Sequence, residues 1–187
     1  MPQPPSLSSR ARIVSVSEEA WVFDPGGPLV RTEDAGQHWD TIGATPCPAS
    51  TTPLAGMAEG RLWLVCGGNR GSGAEFRWVY TSDDAGASWE TSLAAPPMSP
   101  GYASSFAAVS RDRAFLGGDR MGLYESDDAG HQWRQVIPYH DGGIPAIVFI
   151  GGASGWLVQN DANDGVEVST VWRTTNDGAT WDGIPLP

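Results

Sequence analysis

Lysine is absent, and all 11 basic residues of the chain are arginine. That one-sidedness fits codon bias and carries no functional weight. Positive charge is also scarce: 22 acidic residues leave a net charge of −11. Such a balance argues against binding to nucleic acid and to anionic membrane surfaces. No apolar run approaches the roughly 18 residues that a spanning helix needs, so no membrane insertion is expected. The opening ten residues, Met1 to Arg10, lack the apolar centre of a signal peptide. They read as a Pro/Ser linker of the kind that follows a removed leader or a lipid anchor. The expectation is an extracytoplasmic protein, secreted or anchored at the cell surface.

Catalytic motifs are missing too. There is no His-Glu-x-x-His, Gly-x-Ser-x-Gly, phosphate loop or Cys-x-x-Cys pair. The three histidines are scattered, with His38 and His131 in surface turns and His140 beside Asp141. No cofactor, metal or catalytic residue is assigned from the sequence. The only two cysteines are Cys47 and Cys66. A bridge between them would close a loop of about 20 residues and contribute ~3 kcal/mol.

What the chain has in quantity is glycine (24), proline (15) and tryptophan (9), in 187 residues. This is the composition of one turn-rich all-β domain. One stretch recurs four times: Thr32 to Trp39, Ser82 to Trp89, Ser126 to Trp133 and Thr174 to Trp181. The shared form is Ser/Thr-x-Asp-x-Gly-x-x-Trp, with its central residue at Asp34, Asp84, Asp128 and Asn176. The spacings of 50, 44 and 48 residues are those of a propeller or solenoid repeat. Hydroxyl and carboxylate can take up backbone N–H groups inside a tight turn. Glycine supplies positive φ. The tryptophan, Trp39, Trp89, Trp133 or Trp181, folds back over the hairpin or into the seam with the next sheet. These are structural staples. Two adjacent carboxylates per turn fall short of a calcium cage of six to eight oxygens.

The repeat resembles the Asp-box, or BNR repeat, of sialidases, xyloglucan hydrolases, sortilin-type receptors and the photosystem II assembly factor. The resemblance implies a β-propeller whose boxes lie between the third and fourth strands of each blade, away from the binding face. It implies fold and is nearly silent on function. The sialidase arginine, tyrosine and carboxylate set has no match; the nearest string is Phe76-Arg77-Trp78, on a strand leading to a box.

Apolar runs divide the chain into four predicted blades of four antiparallel strands, about 11–47, 48–97, 98–140 and 141–187, after a 1–10 linker. Inner strands fall at Ile13 to Val16, Leu54 to Met57, Phe106 to Val109 and Ala146 to Ile150. Second strands are built on Trp21, Trp63, Phe115 and Trp156. Extra residues, Gly67 to Glu75 and Asn160 to Val166, fall between strands two and three of the second and fourth blades and read as long loops. Both leave the face opposite the boxes, as do the Pro/Gly-rich connections Ala44 to Pro53, which carries Cys47, Ala95 to Ser104 and Tyr139 to Pro145. Cys66, at the end of a second strand, reaches the same face, which supports the disulfide.

Loops on a rigid scaffold are where binding concentrates. The candidate ligand-binding residues are therefore Arg70, Glu75, Asp119, Arg120, His140, Asp141, Asp161 and Asp164. The expected function is a non-enzymatic binding or scaffold module for a protein or glycan ligand. The alternatives are a glycoside hydrolase, sialidase-like or xyloglucan hydrolase-like, or part of one, and a glycan-binding lectin. Four blades could belong to a longer chain, close on themselves, or be completed by a homo-oligomer, since exposed strand edges associate.

Overall fold

The computed structural model describes residues 6–71, 74–92, 101–139, 142–150, 153–163 and 166–185, and these form an all-β chain. Among the described residues no helix is long and apolar enough to cross a membrane. The strands form four antiparallel meanders. The first holds β1 (Arg12–Val16), β2 (Glu19–Phe23), β3 (Pro28–Thr32) and β4 (Asp40–Ala44). The second holds β5 (Thr52–Ala58), β6 (Arg61–Gly71), β7 (Ala74–Ser82) and β8 (Glu90–Ser92). The third holds β9 (Tyr102–Ala108), β10 (Ala114–Asp119), β11 (Met121–Ser126) and β12 (Arg134–Ile137). The fourth holds β13 (Gly143–Ile150), β14 (Ser154–Asn163), β15 (Val166–Thr174) and β16 (Asp182–Ile184). One ladder pair, Asp119 with Gly143, joins the last two meanders into a single sheet.

The second strands explain where the core sits. Side chains alternate across a strand. On β6, Leu62, Leu64 and Cys66 point into a cluster with Trp21, Phe23, Leu29 and Cys47 of the first meander. Trp63 and Val65 point the other way, against Ala114, Leu116, Met121 and Tyr124 of the third. On β10, Phe115 faces the opposite side from Ala114 and Leu116, and packs with Ile144 and Leu157 of the fourth. A strand buried on both faces needs a continuous apolar run, and Leu62 to Val65 is one. The core is therefore three seams, each between consecutive meanders.

The extra residues of the second and fourth meanders are paired strand instead of long loops. Gly67, Gly68 and Gly71 pair with Arg77, Phe76 and Ala74. Asn160 to Asn163 pair with Ser169 to Val166. Composition suggested loops because glycine and asparagine are poor strand formers. The ladder bonds, however, are made by backbone alone, so both hairpins run on past the core.

Cys47 and Cys66 are joined by a disulfide with a Cα–Cα distance of 5.4 Å. The bridge ties the connection between β4 and β5 to the middle of β6. Upstream, Ser8 donates to the Asp24 carboxylate through its hydroxyl and its backbone N–H, and Arg10 donates to Ala49 O at 2.9 Å. The segment before β1 is thus held against the β2–β3 turn.

Candidate functional site

The four repeat turns lie between β3 and β4, β7 and β8, β11 and β12, and β15 and β16. All use one bonding pattern. The hydroxyls of Thr32, Ser82, Ser126 and Thr174 donate to Asp34, Asp84, Asp128 and Asn176 at 2.8–3.0 Å. The same hydroxyls accept the N–H of Gly36, Gly86, Gly130 and Gly178 at 2.8–2.9 Å. The central carboxylate or amide oxygen then accepts the N–H of His38, Ser88, Gln132 or Thr180 at 2.8–3.0 Å. Each glycine has positive φ, as does the residue before it: Ala35, Ala85, Ala129 or Asp177.

These bonds favour the ionised carboxylates. The backbone N–H of His38, then its ring at 2.5 Å, lower Asp34 from the ordinary 3.8 to about 2. The Ser88 hydroxyl and N–H do the same to Asp84, also to about 2. For Asp128, burial pushes upward, but the Gln132 N–H and the Ser126 hydroxyl outweigh it. Folded values below unfolded ones mean stability that is complete above the unfolded value and lost as pH falls toward the folded one. The thermal midpoint is therefore expected to hold above about pH 5 and to fall between about pH 4 and pH 2. Asn176 makes the same bonds without a titrating proton, so Asp84→Asn should fold and show a shallower acid decline. Equal acid slopes for the variant and the parent would refute this account.

The repeat side of the second meander also carries an ion cluster. Arg61 donates twice to Asp83 at 2.7 Å and once to Asp112 at 2.8 Å, and Arg111 reaches Asp83 at 2.6 Å. The Asp83 hydrogen bonds raise Arg61, and Arg61 in turn lowers Asp83. On the repeat side, then, the carboxylates of Asp34, Asp84 and Asp83 are engaged in turn hydrogen bonds and ion pairs. Among the described residues no group of three or more His, Cys, Asp or Glu side chains is placed to hold a metal ion.

The opposite end is built differently. Asp119 and Arg120 form the two-residue turn between β10 and β11, flanked by the Gly118–Met121 pair. Both side chains are exposed. Arg120 has φ of 56°, and its N–H donates to Gly142 O at 3.0 Å. On one side a Cβ at Gly101 would lie 2.4 Å from Asp119 O, and Arg77, buried on β7, donates to Gly101 O at 2.7 Å. On the other, Asp119 pairs with Gly143, which pairs with Asn160, the neighbour of Asp161. Asp161 is half-buried, and among the described residues its Oδ1 has no hydrogen-bond partner. Asp119, Arg120 and Asp161 are thereby brought together around Gly142 and Gly143. Arg70 and Glu75 stand on β6 and β7 near the tip of that hairpin; their side chains lie outside the described residues, as do His140, Asp141 and Asp164.

Two features were not read from the sequence. One is the support of the Asp119–Arg120 turn by glycines of two other connections, Gly101 and Gly142, for which the Gly142-Gly143 pair was the available signal on one side. The other is a cavity of about 260 Å³ lined by all four first strands, among them Arg12, Leu54, Ser104, Phe106 and Ala146. Apolar runs opening each repeat could have indicated it.

No protein-family model and no curated protein matches the chain. Solved structures do. YCF48 bound to D1 peptide superposes with a TM-score of 0.55 at 13% identity, over 95% of this chain and 83% of that one. The GH74 xyloglucanase from Xanthomonas campestris gives 0.59 at 16% identity, over 91% of this chain and 29% of that one. Xylan β-1,4-xylosidase from Bacillus halodurans C-125 gives 0.55 at 12% identity, over 95% and 42%. The fold is that of β-propeller proteins. The chain spans less than half the length of these two hydrolases.

Proposed function

We propose that the chain is an Asp-box propeller module that binds a protein ligand on the loop face, without catalysis. In this reading the four meanders are its blades, within a single domain at 11–187. The observation that carries it is the Asp119–Arg120 turn. Two charged side chains are exposed on a backbone fixed from both sides by Gly101 and Gly142. Rigid display of this kind reduces the ordering cost of recognition. The repeat side supports it in part, since both carboxylate oxygens of Asp34 and of Asp84 already serve their own turns. The peptide seated on YCF48 supports a protein ligand, through fold likeness alone. The disulfide supports an extracytoplasmic setting, because such bridges persist in oxidising compartments.

Panning a random peptide library against the immobilised chain tests the reading. Selected peptides are expected to lose at least about tenfold in affinity, roughly 1.4 kcal/mol, on Arg120→Ala. They should keep it on Asp128→Asn at the repeat side. Peptide binding indifferent to Arg120 would place recognition elsewhere. The second reading, a glycan-directed module or hydrolase fragment, is favoured by the likeness to the xyloglucanase. Hydrolysis of aryl glycosides, or retention on a glycan array, would establish it instead.

A further inference from the structure

The three seams follow one rule. The second strand of each meander sends an aromatic residue into the repeat turn of the next. Trp21 Nε1 donates to Ala85 O at 3.0 Å. Trp63 and Phe115 lie so close to Gly130 and Gly178 that a Cβ on either glycine would meet the ring, at 3.3 and 2.3 Å. In these three turns the glycine is buried, and the residue before it and the tryptophan are half-buried.

The first turn departs from the rule. Ala35 and Gly36 are exposed, and Trp39 is 37% exposed. A Cβ on Gly36 would meet only Trp39 of its own turn. On the same meander Ile13 is 64% exposed, while Val22 and Val30, in register beside it, are buried. On the fourth meander, Trp156 stands in register with Val148 and Arg173. Trp21 stands likewise with Val14 and Arg31. An arginine lies over each ring, at 6.0 Å for Trp156 and 5.2 Å for Trp21. Yet Trp156 is only half-buried, and Val148 and Ile150 on its face are 50% and 64% exposed. Among the described residues β1 contacts β5, β5 contacts β9 and β9 contacts β13, while β13 and β1 line the same cavity without a contact of that extent. The fourth meander thus carries one half of a seam and the first meander carries the other.

We infer that the two halves join between two copies of this chain. The β14 face of each copy packs on the first repeat turn of the other, with Trp156 over Gly36. Two identical seams then close the pair about a twofold axis, leaving neither half uncovered. The occupant is a second copy because the exposed turn has the same sequence pattern as three turns that already receive such an aromatic. The chain itself carries the fourth aromatic, with its arginine in place. Both copies are strongly acidic. Association through apolar contact against like charge strengthens as salt screens the repulsion.

Light scattering over a concentration series reads this directly. The expected mass is twice 19.8 kDa, with the paired fraction rising with salt. A single 19.8 kDa species at every concentration and salt level would overturn the inference, whether the chain closes on itself or is completed by other sequence. Val148→Asp with Ile150→Asp, and separately Ile13→Asp with Trp39→Glu, are each expected to weaken pairing at least tenfold. Mixing the two variants should restore pairing through the one seam left intact. Pairing that survives both variants would show a different interface. Hydroxyl-radical labelling of the unaltered protein gives a readout free of folding defects. Labelling of Trp39 and Ile150 should fall as concentration rises, and constant labelling through a rise in mass would refute the seam.

Discussion

Replacing Phe115 by alanine is expected to lower the unfolding free energy by about 3–5 kcal/mol. The ring is fully buried. It stacks on Phe149 at 5.5 Å and meets the edge of Trp181 at 5.9 Å. It also covers Gly178, whose missing Cβ is the space the ring edge fills. Truncation therefore opens a void bounded by the rigid backbone of a repeat turn, which cannot collapse to fill it. The thermal midpoint should fall on the order of 10 °C, given the usual entropy of a domain this size. Phe115→Leu keeps most of the volume and should cost much less. Urea titration of both variants checks this. Equal midpoints for the alanine variant and the parent would mean that the third seam is not part of the core.

Removing the Cys47–Cys66 bridge is expected to cost about 3 kcal/mol, set mainly by the freedom returned to the unfolded chain. The two residues are 19 apart in sequence, and both sulfurs sit in the first seam with Trp21, Phe23 and Leu64. The paired Cys47→Ala and Cys66→Ala variant isolates the effect, and reduction with dithiothreitol during unfolding repeats it without substitution. A drop of roughly 6–12 °C in the thermal midpoint corresponds to that free energy. A shift too small to resolve, in both the variant and the reduced protein, would show that the link does not restrain the unfolded ensemble.

The repeat was legible because its chemistry is local. Hydroxyl, carboxylate and glycine satisfy one another within five residues, so the pattern survives in sequence and the bonds at Asp34, Asp84 and Asp128 follow it. The left-handed alanines were not legible. Ala35 and Ala129 adopt positive φ where their N–H groups bond Glu18 O and Asp112 O in a preceding turn, at 2.9 Å each. No local signal marks a partner of that kind. The apolar runs gave the second strands, but not which residue enters which seam, since that depends on how neighbouring sheets stack. Gly67 and Asn160 misled because composition speaks of side chains while their pairing is made by backbone. Of the candidate site, Asp119 and Arg120 could be found as neighbours in a turn. Their approach to Asp161 depends on the Asp119–Gly143 pair, which is a fact of tertiary folding.

Because each apolar cluster is shared by consecutive meanders, no side chain in the first cluster belongs also to the third. Through the apolar clusters a disturbance at Trp21 reaches Phe115 by way of the second meander, which lies in both the first and the second cluster. Communication through the core is therefore serial, like a row of dominoes, and rigidity in the middle two meanders decides how far any message travels.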